Sequence, residues 1–100
     1  MAELIIKNPA TGADVGRAPI MSPAEVDATV ARARIACAPW GAMTFAQRAE
    51  ALSDFRRAIA QAADELAELL SAENGKPLAE SYVELISTLM LFVPVAPKTK

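Results

Sequence analysis

The sequence predicts a mainly helical fold that opens with a β-hairpin, an α+β arrangement in which helix dominates. Three observations predict it. Short apolar runs flank the turn sequence Asn8-Pro9-Ala10-Thr11-Gly12. Two helix-start boxes follow, Ser22-x-x-Glu25 and Thr44-x-x-Gln47. Behind the second box, apolar residues recur at helical spacing for about eight turns. The expected organisation is one incomplete domain over residues 1–100, with the hairpin in 1–20 and helix in 21–97.

In the hairpin, Leu4 to Lys7 is a short β-branched run. Pro9 fixes φ in the turn, and Gly12 supplies the positive φ that closes it. Ala13 to Ile20 returns as a second strand, with Pro19 confining it to an edge because proline cannot donate to a ladder.

The first helix is expected at roughly residues 22–38. Ser22 is its N-cap, Pro23 its first residue, and Glu25 the reciprocal partner of the box. Val26, Val30, Ala33 and Cys37 form a narrow apolar stripe, and Pro39 is expected to end the helix. The second helix is expected at roughly 44–74 as one continuous rod of about 45 Å at 1.5 Å per residue. Phe45, Ala49, Leu52, Phe55, Ile59, Ala62, Leu66 and Leu69 hold its apolar face; Glu50, Asp54, Arg57, Gln61, Asp64 and Glu68 hold the other. The apolar faces of these two helices are expected to pack together.

The third helix, roughly 77–93, is different. After Glu84 it carries no charge until Lys98. Leu85, Ile86, Leu89, Met90, Leu91, Phe92 and Val93 leave no polar face of any width, and a helix apolar all round must be covered on all sides. It is too short to span a bilayer, which needs about 20 apolar residues. A chain this small buries only about 60–65% of its unfolded surface. The sequence therefore implies a covering partner, either further chain or another subunit.

Between the second and third helices lies Glu73-Asn74-Gly75-Lys76-Pro77. A phosphate loop needs Gly-x-x-x-x-Gly-Lys followed by Ser or Thr. Here the residue five before Gly75 is Leu70, and Pro77 follows Lys76. The segment reads instead as punctuation. Gly75 ends one helix in the left-handed conformation, Lys76 sits near the negative end of the helix dipole, and Pro77 starts the next helix.

Composition excludes several classes. Apolar residues make up 53% and the net charge is −2, which argues against disorder and against a basic nucleic-acid footprint. There is no histidine and one cysteine, Cys37, so neither an internal disulfide nor a cysteine-based metal cluster is possible. No secretory leader is read at the N-terminus, and a cytoplasmic location is the simplest expectation.

The motifs together carry more than each alone. Asn8-Pro9-Ala10-Thr11-Gly12, then Ser22-Pro23-Ala24-Glu25-Val26 through Pro39-Trp40, then Glu73-Asn74-Gly75-Lys76-Pro77 occur in one order and at defined separations. In this the chain resembles the N-terminal region of the aldehyde dehydrogenase superfamily, from about Leu4 to about Leu91. The resemblance implies an α/β Rossmann-like cofactor domain of which this segment is a part. It implies oxidation of an aldehyde to a carboxylic acid with NAD or NADP through a cysteine thiohemiacetal, and assembly as a homo-oligomer. It also implies that the family's nucleophile, general base, oxyanion-hole and cofactor-binding residues lie beyond these residues. No catalytic or cofactor-binding residue is therefore assigned here, and no cofactor is expected to bind this chain alone.

Cys37 lies on the apolar stripe and reads as a core thiol, not as the nucleophile. Trp40 reads as a core or interface residue. One site is implied by the resemblance: a monovalent cation held by the backbone carbonyls of Ile6 and Lys7 and the carboxylate of Glu73, all hard oxygen donors. Arg32, Arg34, Arg56 and Arg57 read as solvated or ion-paired faces, Asp64, Glu65 and Glu68 as surface acids, and Tyr82 as a residue packed between helices. The expected partners are the remainder of an enzyme chain or identical subunits, with no nucleic acid and no membrane. A second reading stays open, a self-standing helical module that buries its third helix by self-association.

Overall fold

The computed structural model of the chain describes residues 2–91. In chain order they form β1 (Glu3–Lys7), β2 (Asp14–Pro19), α1 (Pro23–Ala42), α2 (Phe45–Gln61), α3 (Ala63–Asn74) and α4 (Leu78–Leu91). The hairpin and the dominance of helix are as the sequence predicts. The number of helices is not: the expected second helix is two.

β1 and β2 pair antiparallel, with Glu3 opposite Pro19 and Ile6 opposite Gly16. The register shifts between Ile6 and Lys7, which faces Asp14, so Val15 is an extra residue that bulges the second strand. The turn is closed by Asn8. Its side-chain Oδ1 accepts from the backbone N–H groups of Ala10 (2.9 Å) and Thr11 (3.3 Å), and its carbonyl accepts from Gly12 N–H at 2.8 Å. Gly12 has φ 75°, as the turn reading requires.

Both capping boxes are present. Ser22 Oγ accepts from Glu25 N–H, while the Glu25 carboxylate accepts from Ser22 N–H at 2.7 Å. These bonds from Ser22, backbone first and hydroxyl second, hold the Glu25 carboxyl below its ordinary pKa. Thr44 and Gln47 repeat the arrangement at the start of α2.

Two expectations for α1 are corrected. Pro39 lies inside the helix, which continues to Ala42. Pro39 has no N–H to return to the Ile35 carbonyl, a loss that weakens a helix without necessarily ending it. Nor does the apolar stripe pack on α2. Among the described residues, α1 makes no broad contact with another element and contains no buried residue. Val26 and Val30 stay 46% and 48% exposed, Trp40 is exposed, and Cys37 is an exposed thiol where a core thiol was expected. The physical reason is that the described residues supply nothing to cover the stripe.

The break between α2 and α3 falls at Ala62, φ −96° and ψ 12°. Neither Pro nor Gly lies between Gly41 and Gly75. The cause is tertiary. α3 packs on α4 and touches both strands of the hairpin, whereas α2 meets its neighbours only lightly. The centre of the molecule is the α3–α4 crossing, where Ala67 and Ser81 are fully buried. A methyl and a hydroxymethyl at that point let the two helices approach closely. The described chain is elongated, 55 × 39 × 19 Å, with α1 outside this centre.

α4 starts at Leu78, one residue later than expected. Pro77 occupies the cap position, where its carbonyl accepts from Glu80 and Ser81 N–H. Val83 (63% exposed), Ile86 (56%) and Met90 (68%) lie open to solvent, as the sequence predicts for a helix lacking its cover. The part of the expected third helix at Phe92 and Val93 lies outside the described residues.

Candidate functional site

The motifs Asn8–Gly12 and Glu73–Pro77 meet where the C-terminal turn of α3 reaches the hairpin. Gly75 ends α3 with φ 79° and donates its N–H to Ser71 O at 2.9 Å. A Cβ built on Gly75 would lie 2.9 Å from Pro9 Cγ, so the helix end and the hairpin turn are in direct contact. Glycine is required here twice, for the left-handed backbone and for the close approach. Asn74 Oδ1 accepts from Lys76 N–H at 2.9 Å and shapes the exit. The Lys76 ammonium turns to the Glu84 carboxylate one turn and a half into α4. That pairing explains the Gly-Lys pair without a phosphate: the lysine ties a loop to a helix.

Ile6 and Lys7 stand on β1 opposite the bulge of β2, and Glu73 lies in the last turn of α3 with an exposed side chain. The fold brings β1 and α3 into contact. The end of α3 adds negative dipole and a carboxylate. Backbone carbonyls and a carboxylate are the donor set a hard cation takes, so the residues fit the group in chemistry. The Lys7 ammonium is directed to Asp14 Oδ1 at 2.7 Å, which leaves the backbone of Lys7 as its contribution. Among the described residues, no group of three or more His, Cys, Asp or Glu could hold a metal ion.

Three contacts that the sequence did not announce tie α2, α3 and α4 together. Ser71 Oγ and Ser81 Oγ share a hydrogen bond of 2.7 Å across the α3–α4 crossing. Tyr82 donates its phenol proton to Asp64 Oδ1 at 2.6 Å. That bond first, then burial and the nearby charges of Asp64 and Glu68, raise the Tyr82 pKa above its ordinary value. Arg56 Nε donates to the Leu89 carbonyl at 2.9 Å, a cation on the negative end of α4. Only helical spacing could have paired Asp64 with Glu68; nothing local points to Tyr82, 18 residues away.

The remaining charged groups behave as surface groups. Arg57 pairs with Asp54 at 2.9 Å one turn away, and Arg32 donates to Thr29 Oγ1 at 3.0 Å. Arg48 stacks over the Phe45 ring at 4.8 Å. A groove of about 340 Å³ between α2 and α4 is lined by Ser53, Arg56, Arg57, Ala60 and Leu89. Arg56 of this groove donates to the Leu89 carbonyl and Arg57 pairs with Asp54. Cys37, on the exposed α1, is not gathered with any of these groups. No helix among the described residues is long and apolar enough to cross a membrane.

Comparison with known proteins identifies the family of the sequence. The model of the aldehyde dehydrogenase family matches residues 2–98. A 3-sulfolactaldehyde dehydrogenase of Pseudomonas putida is 42% identical over 80% of this chain and 16% of its own length. An N-succinylglutamate 5-semialdehyde dehydrogenase of Novosphingobium aromaticivorans is 40% identical over 88% of this chain and 18% of its own length. A 3,6-anhydro-alpha-L-galactose dehydrogenase of Streptomyces coelicolor is 42% identical over 81% of the chain and 16% of its own length. The chain thus spans 16–18% of the length of these curated relatives.

Proposed function

The chain belongs to the aldehyde dehydrogenase family, and from that premise we propose that it is the N-terminal packing segment of an enzyme oxidising an aldehyde to a carboxylic acid with NAD or NADP. The observation that carries this reading is the uncovered apolar surface of α4 and α1 in a chain that matches only 16–18% of its relatives. Such surface costs about 25 cal/mol per Å² while it faces water. Cover by the remaining chain, or by an identical subunit of a homo-oligomer, removes that cost.

In this reading the segment is scaffold. The hairpin, α3 and α4 form a preassembled corner, and the open faces of α1, α2 and α4 dock on the cofactor domain. The segment has no catalysis of its own, because covalent aldehyde oxidation needs an activated nucleophile with a base in reach. The only cysteine is the exposed Cys37 on α1. The NAD or NADP site is assigned in this reading to chain beyond this segment. The relatives carry names of different aldehydes while sharing this segment, which supports a part that does not choose the substrate. A monovalent cation on the carbonyls of Ile6 and Lys7 and the carboxylate of Glu73 would staple the hairpin to α3. The cytoplasm is the compartment this reading assigns.

The experiment is to read the coding DNA past the codon for Lys100 in all three frames. Several hundred further codons in one frame, including a later cysteine in family context, are expected. A stop with no related sequence beyond it would instead favour the self-standing module.

A further inference from the structure

We draw no further inference here: the strongest candidate, the exposed apolar face of α4 formed by Val83, Ile86 and Met90, carries nothing of its own because nothing in the structure shows what covers it beyond the reading already given.

Discussion

Gly75 is the residue on which the corner depends most. Its φ of 79° costs an L-residue about 1–2 kcal/mol, and a Cβ would meet Pro9 Cγ at 2.9 Å. Gly75→Ala is expected to destabilise the hairpin–α3 contact by more than that strain alone, read as a lowered midpoint of urea unfolding by circular dichroism. Gly12→Ala, where a Cβ would meet nothing within 4 Å, is expected to cost only the backbone strain. Equal losses at the two positions would remove the Pro9 contact from the account.

Tyr82 gives a second residue-scale test, because it is the only tyrosine. Its neutral phenol donates to Asp64, so the raised pKa stabilises the fold below the ordinary tyrosine range. The contribution disappears as pH rises through the folded value. Ultraviolet absorbance should show tyrosinate forming above the ordinary pKa in the native chain. Asp64→Asn should bring the midpoint down; an unchanged midpoint would refute the bond. For Glu73, the cation proposal predicts that sodium or potassium, exchanged against tetramethylammonium at constant ionic strength, raises the unfolding midpoint. Glu73→Gln should abolish that response, and an equal response in both chains would remove Glu73 from the site.

At the scale of elements, boundaries written in local motifs were legible, the Gly75 stop of α3 included, whereas the end of α1 and the break at Ala62 were not. Ser22-x-x-Glu25, Thr44-x-x-Gln47 and Asn8 to Gly12 write their hydrogen bonds into short sequence, so they form as read. Pro39 was misleading because proline weakens a helix locally, and the helix had other turns to hold it to Ala42. The break at Ala62 was illegible because it comes from the docking of α3 on α4 and the hairpin, contacts remote in sequence. The stripe on α1 was read correctly as apolar, yet its cover is absent from the described residues. Of the candidate site, the motifs at Asn8–Gly12 and Glu73–Pro77 were legible, whereas the Ser71–Ser81 and Tyr82–Asp64 pairs were not, since single hydroxyls carry no pattern. Because α1 lies outside the packed centre, its amides should exchange with solvent much faster than those of α3 and α4 around Ala67 and Ser81. Native-state hydrogen exchange measures this directly, and equal protection across the helices would show that α1 is covered in the isolated chain.

At the scale of the molecule, a small hydrophobic centre at one crossing carries an elongated shape with large apolar residues facing outward. Globular proteins seldom leave such faces open unless another surface lies against them. Membership of the aldehyde dehydrogenase family and the 16–18% share of its relatives agree with an interior surface of a longer fold. The central claim is that these faces need chain that the segment does not contain. The most direct measurement is sedimentation of the purified 100-residue chain, combined with its thermal melt and the binding of a hydrophobic dye. The account predicts helical signal, strong dye binding at the open apolar faces and aggregation as concentration rises. A monodisperse oligomer that excludes the dye and melts in one sharp transition would contradict it, because such a species covers its own α4.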